Sequence, residues 1–327
     1  MAGPISRRCT TQTAMRLVFV GRLKYAGLRL WEQPMTTTRR TLFVGDALQI
    51  GLFQAQPLSD ACGDVERQNS NAVVLPVSGL FSKHDAPSRY VIGTPSHAVL
   101  FTANAPYRIG FPGAIGDRAL VLRFGEEVAA DQLNKCDSDD SSASYGLLSP
   151  DAMMLRNLLW EWLQRSQVDA LESETLGLDL LVMSLGSMCA GVPSPRRSAR
   201  VRRLQAVERV KEAVAAAPAD KWSVTRLAKV ASLSPFHLCH VFREMVGTSI
   251  YDYVLHERLA HSLDAVLDGG GDLTAIALDT GFASHSHFTA RFRSFFGVTP
   301  TALRRAAATG YIAQLRKIMT ARRRQLA

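Results

Sequence analysis

The chain has 327 residues, 47% of them hydrophobic and 8% aromatic, which excludes a disordered chain and supplies material for more than one packed core. With no run of about 18 apolar residues, no transmembrane helix is expected. The net charge of +9 is lopsided: residues 196–327 carry 21 Lys and Arg against 10 Asp and Glu, and residues 1–195 carry 17 against 19. Only the C-terminal part therefore points to a polyanionic partner.

In chain order, residues 1–35 contain no acidic residue before Glu32 and read as a loose extension, within which Met15 and Met35 are alternative starts. The apolar stretch 17–20 is too short for an export signal, and Arg7-Arg8 lacks the apolar run that would make it one. Cys9, Cys62, Cys136, Cys189 and Cys239 are isolated and odd in number, without a C-x-x-C pair. That predicts reduced thiols in the cytoplasm and no structural zinc.

Residues 41–125 read as β-rich. Short apolar runs at 41–44, 72–76, 90–92, 98–101 and 119–124 are separated by Gly, Pro, Asp and Ser, which predicts a small barrel or sandwich. A polar loop follows at 137–144. Ser149-Pro150 then reads as a helix cap, followed by Leu155, Leu158, Leu159 and Trp162 at helical spacing. A second helix is expected over 172–189, with Leu176, Leu180, Met183 and Leu185 on its apolar face. Both faces are expected to pair with a second chain. Gly191-Val192-Pro193-Ser194-Pro195 marks a linker.

The last third contains an internal repeat. Leu227-Ala228 corresponds to Ile276-Ala277, an offset of 49. His237-Leu238, Phe242-Arg243 and Gly247 correspond to His287-Phe288, Phe292-Arg293 and Gly297, an offset of 50, so one residue is inserted in the turn. Each copy has a short helix with a small residue, a tight turn, and a second helix that starts at a Ser cap and stops at a Gly. Gly281 suits a positive-φ turn position. This is helix-turn-helix logic.

The second helices keep an apolar stripe: Leu238, Val241, Phe242 and Met245 in one copy, and Phe288, Phe292 and Phe295 in the other. Their opposite faces show Phe236, Cys239, His240 and Arg243, and His285, Ser286, Thr289 and Arg293. Such a face fits the major groove of double-stranded DNA. His237 and His287 are expected on the inward side as packing residues. The copies are joined by a helix over 249–268, opened by a capping box at Ser249 and Asp252. Its length of about 28 Å is close to one DNA turn of about 34 Å. Within it, Arg258 reads as a structural pairing residue. Arg322-Arg323-Arg324 reads as a frayed tail near phosphate.

At these residues the sequence resembles the AraC/XylS family of bacterial regulators. The matching text includes Ser234-Pro235-Phe236-His237-Leu238, Arg258-Leu259-Ala260, Gly281-Phe282, Ser286-His287-Phe288 and Phe296-Gly297-Val298-Thr299-Pro300. One departure stands out. The family commonly has Arg where this chain has Ala290, which implies weaker reading by the second unit. More weakly, 73–124 resembles the family's cupin-type sensor domain, through Gly79-Leu80-Phe81, Pro106-Tyr107-Arg108 and Gly116-Asp117-Arg118.

The resemblance implies a multi-domain α+β chain: a cupin-like β-barrel with a helical dimerisation segment, then an all-α double helix-turn-helix domain. The expected boundaries are an extension at 1–35, a sensor and dimerisation domain at 36–191, a linker at 192–200, a DNA-binding domain at 201–308 and a basic tail at 309–327. Arg89, Tyr107, Arg108 and Arg118 are candidate effector-binding residues. His84 and His97 are the only histidines before residue 196 and lie 13 apart, so no catalytic metal, cofactor or enzyme is expected. The partners implied are promoter DNA, RNA polymerase, a small-molecule effector and a second copy of the chain, in the cytoplasm at the nucleoid and away from membranes. Three rivals stay open: a regulator without effector whose N-terminal domain only dimerises or touches RNA polymerase, a DNA-tethered enzyme, and a sequence-indifferent packaging protein.

Overall fold

The computed structural model describes residues 36–86, 89–125, 127–128, 130, 145–165, 167–188 and 197–309. The expected extension at 1–35, the loop at 137–144, Cys9, Cys136, Cys189 and nearly all of the tail at 309–327 lie outside these residues. So does most of the linker, and from Arg197 onward the chain is helical.

The described strands are β1 (Thr36–Val44), β2 (Leu48–Gln56), β3 (Asn71–Gly79), β4 (Phe81–Ala86), β5 (Arg89–Gly93), β6 (His97–Phe101), β7 (Arg108–Gly110), β8 (Asp117–Phe124) and β9 (Tyr145–Leu147). They form a six-stranded sheet in the order β1-β2-β8-β3-β6-β9 and a three-stranded sheet in the order β5-β4-β7. Every pairing is antiparallel.

Alternation along the strands decides what each face covers. Val73, Leu75 and Val77 of β3 join Leu120, Leu122 and Phe124 of β8 in a core shared with helices. Ala72 and Val121 point the other way, into a second core with Phe81 and Val91 of the small sheet. The large sheet is thus covered on both faces, which explains its near-continuous apolar runs. The two sheets do not close into a barrel among the described residues, so the coarser expectation of a β-rich part holds and the cupin-like barrel is not shown. The large sheet is open at both edges: β1, whose run Thr-Thr-Thr-Arg-Arg-Thr is exposed, pairs only with β2 among the described strands, and β9 only with β6.

The described helices are α1 (Pro150–Gln164), α2 (Ala170–Met188), α3 (Arg197–Ala216), α4 (Val224–Ala231), α5 (Pro235–Val246), α6 (Ile250–Asp268), α7 (Leu273–Asp279), α8 (His285–Phe296) and α9 (Pro300–Thr309). The cap of α1 is made by Ser149, whose hydroxyl accepts the Ala152 N–H at 3.2 Å, with Pro150 at the first helical position. Such a side-chain cap contributes about 1 kcal/mol.

Leu155, Leu158, Leu159 and Trp162 of α1 are buried inside the chain, against α2, β3 and the C-terminal helices α6, α8 and α9. Leu176, Leu180 and Leu185 of α2 are buried as well. The expectation that these faces await a second chain is therefore corrected, because the chain covers them itself. The described residues from 36 to 309 form one compact unit, in which the β-rich part and the helical part are in direct contact.

Candidate nucleic-acid interface

Each half of the repeat is built from local signals. Ser223, Ser234 and Ser284 cap α4, α5 and α8, their hydroxyls accepting the N–H of Arg226, His237 and His287 at 3.1, 3.3 and 3.2 Å. Gly247 and Gly297 end α5 and α8 in the left-handed conformation. The joining helix α6 has 19 residues and opens on Ser249, which accepts the Asp252 N–H at 3.1 Å.

The first helix of each unit buries its Leu-Ala or Ile-Ala pair, namely Leu227 with Ala228 and Ile276 with Ala277. Against these pack Leu238, Val241 and Phe242 of α5, and Phe288, Phe292 and Phe296 of α8. The second stripe differs from expectation by one residue. Phe296 is buried, whereas Phe295 is half-buried, edge-on to Phe296 and to the His256 ring.

With the apolar stripes turned inward, the opposite faces stand in solvent. Phe236 is 87% exposed, an unusual position for a large aromatic side chain. Cys239, His240 and Arg243 are exposed beside it, and Cys239 is a free thiol. His240 Nε2 lies 3.9 Å from Glu244, which also pairs with Arg203 of α3 at 3.2 Å. On α8, His285, Ser286 and Arg293 are exposed, and Thr289 is half-buried with its hydroxyl 3.4 Å from His285 Nε2. His237 is half-buried. His287 is exposed and only rests edge-on against Phe282, which corrects its expected inward position.

Arg258 ties the joining helix α6 to unit one. Its Nε and Nη2 donate to the carbonyls of Pro218 and Asp220, both at 2.8 Å, in the segment between α3 and α4. Gly281 packs on the same segment, with φ +84°, and a Cβ there would sit 2.8 Å from Ala219 Cα.

The four candidate effector residues are not gathered in one place. Arg89 and Arg108 flank β4 in the small sheet, opposite Ala86 and His84 respectively. Tyr107 is T-shaped on Phe101 at 4.8 Å, its hydroxyl 3.4 Å from Glu66, and burial pushes its phenol above the usual range. Arg118 belongs to the large sheet. It donates to the Ser78 hydroxyl at 2.9 Å and pairs with Asp264 of α6.

A polar seam joins the β-rich part to the helices. Thr94 donates its hydroxyl proton to Glu257 of α6 at 2.7 Å. The same Thr94 oxygen lies 2.8 Å from His97 Nδ1, so His97 must donate to it. Burial, with Lys211 and His256 nearby, keeps His97 neutral by holding its pKa well below the ordinary value. His261, whose Nε2 is 3.7 Å from Glu257, is pushed down to about 4 by burial and by Arg156. Glu208 of α3 accepts the Ile92 N–H at 2.6 Å and Lys211 at 2.9 Å. No sequence signal marks these partners, since Thr94 and Glu257 lie 163 residues apart.

Residues 227–306 match the profile of a helix-turn-helix domain family. The chain is similar to the HTH-type transcriptional regulator GlxA of Rhizobium meliloti, 38% identical over 25% of this chain and 25% of that one. It is also similar to the HTH-type transcriptional regulator ArgR of Pseudomonas aeruginosa, 27% identical over 70% of this chain and 68% of that one. A solved AraC-type transcriptional regulator from Chromobacterium violaceum aligns at 24% identity and a TM-score of 0.31, covering 32% of this chain and 93% of that one. The chain spans between a quarter and a third of the length of several curated relatives it matches. No helix among the described residues is long and apolar enough to cross a membrane.

Proposed function

Starting from an AraC-type helix-turn-helix domain at residues 227–306, we propose that the chain is a sequence-specific transcriptional regulator that reads promoter DNA with α5 and α8. One observation carries this reading. Two tandem units spend their apolar stripes inside the protein and leave the N-terminal faces of their second helices in solvent.

In this reading Phe236, Cys239, His240 and Arg243 enter one major groove, and His285, Ser286, Thr289 and Arg293 the next. Lysine and arginine neutralise phosphate and supply the salt-dependent part of affinity. His240 offers hydrogen bonds to base edges, and Phe236 offers an apolar face to a thymine methyl. Footprinting of genomic DNA with the purified chain tests the reading. Discrete protected segments in two adjacent grooves are expected, whereas uniform protection supports the packaging alternative.

The β-rich part serves in this reading as a sensor related to the cupin-type domains, with a small-molecule effector near Arg89, Tyr107 and Arg108 and with Arg118 passing its effect to α6. A second copy of the chain packs on α2, where Leu171 and Val182 remain exposed on one side, eleven residues or about three turns apart. The regulator works in the cytoplasm at the nucleoid, contacts RNA polymerase as an activator, and catalyses no reaction. Thermal stabilisation by candidate metabolites separates the effector reading from a β-rich part that only dimerises or touches polymerase.

A further inference from the structure

The two helix-turn-helix units bury their apolar stripes in different company. The stripe of unit one packs on its own neighbours, although α3 in turn rests on β5, Ala215 lying with Leu80 and Ile92. Leu238 and Phe242 of α5 pack with Leu227 of α4, Val207 and Val210 of α3 and Tyr253 at the start of α6, and from the β-rich part Leu147 of β9 packs against this cluster. The stripe of unit two reaches further. Phe288, Phe292 and Phe296 of α8 share one continuous core with α1 and the large sheet, and α1 packs directly on α6, α8 and α9. So α1, which belongs to the β-rich part of the chain, gives unit two the wall that α3 gives unit one.

Polar contacts fasten that wall. Glu257 and Asp264 stand seven residues apart on α6, two turns along one face. Glu257 takes the Thr94 hydroxyl and Asp264 takes Arg118. The Arg118 guanidinium also lies 5.7 Å over the Trp160 ring of α1. Arg156 of α1, fully buried, donates to the carbonyl of Pro95 beside Thr94.

We infer that the β-rich part holds the second helix-turn-helix unit folded and in register with the first, so that loosening this seam frees α8 and leaves α5 as it was. The docked arrangement leaves both reading faces in solvent, and in this inference it is the form that binds DNA. Undocking then lowers affinity by withdrawing unit two. The DNA part of this inference rests on the proposed function, whereas the folding part does not.

Hydrogen exchange on the full-length chain tests it, following peptides over 235–246 and 285–296. In an Arg118→Gln, Asp264→Asn double variant, which removes the seam's ion pair, exchange over 285–296 is expected to quicken by about tenfold or more while 235–246 keeps its rate, as expected for separate opening units. Arg118→Gln alone, at a half-exposed position, gives the same comparison if the double variant does not fold. The reciprocal variant Val210→Ala is expected to quicken 235–246 and spare 285–296. Equal quickening of both segments, or of neither, overturns the inference. On DNA, the double variant is expected to keep the half of the footprint under α5 and lose the half under α8, and equal loss of both halves contradicts it. If the wild-type chain leaves no footprint, the functional reading falls while the exchange asymmetry still decides the folding claim.

Discussion

The Thr94 hydroxyl and the Glu257 carboxylate meet at 2.7 Å, tying the turn between β5 and β6 to the middle of the helix that joins the two reading units. Both residues are fully buried. A buried carboxylate that loses a donor keeps its desolvation cost, about 1–3 kcal/mol. Thr94→Val is therefore expected to lower the unfolding free energy by about that much, read from urea denaturation. An unchanged midpoint at unchanged slope contradicts the assignment.

Asp117 gives a pH-dependent prediction. Burial raises its carboxyl pKa to about 7, and Oδ1 has no hydrogen-bond partner among the described residues. The folded state then binds a proton more tightly than the unfolded one. Stability from this residue is present at acid pH and falls as pH rises from the ordinary carboxyl value of 3.8 to about 7. Asp117→Asn removes the ionisation. The variant is expected to gain little at pH 4 and on the order of a few kcal/mol at pH 8, since each tenfold difference in proton affinity between the folded and unfolded states is worth about 1.4 kcal/mol. A stability difference that stays flat between these two pH values contradicts the account.

Ser232 and Gly281 occupy the same turn position in the two halves of the repeat, and both have positive φ, 56° and 84°. A non-glycine residue there carries a penalty of about 1–2 kcal/mol. Ser232→Gly is expected to raise stability by up to about 1 kcal/mol. Gly281→Ala is expected to lower it by more than that, because the added Cβ also meets Ala219 Cα at 2.8 Å. Thermal unfolding of the two variants checks the pair, and equal shifts of the same sign contradict the assignment.

The parts of this architecture that are legible in the sequence are the local ones. Serine caps, the glycine stops and the Leu-Ala and Ile-Ala pairs each act within one or two helical turns, so their spacing alone reveals the tandem units. The stripe of α8 is ambiguous by one residue in the sequence, because both Phe295 and Phe296 are aromatic and 3.6 residues per turn admits either. Strand β2 is obscured by Gly51 within it, and β4 by the polar Ser-Lys-His-Asp run. The burial of α1 is illegible for a different reason. Its covering residues come from α6, α8 and α9, about 100 residues or more downstream, and an amphipathic helix looks the same whether its partner is the same chain or another. The candidate effector residues are polar groups near strand ends, and nothing local distinguishes Arg118, bound to Asp264, from Arg108, which is exposed.

His240 and Arg293 separate base reading from phosphate contact. His240→Ala is expected to change the preferred base under unit one at a cost of about 1–3 kcal/mol for the best site. Arg293→Ala is expected to weaken all sequences alike and to lower the salt slope by about one. The two variants are to be compared at two salt concentrations. If Arg293→Ala alters base preference and His240→Ala does not, the roles of the units are reversed.

The central claim is that two tandem helices read DNA sequence, and selection from a randomised duplex library tests it most directly. The account predicts enrichment of a two-part motif whose halves lie about 10 base pairs apart, bound at least about a thousandfold more tightly than random DNA. A pool that stays random after selection, with equal affinity for all duplexes, contradicts it.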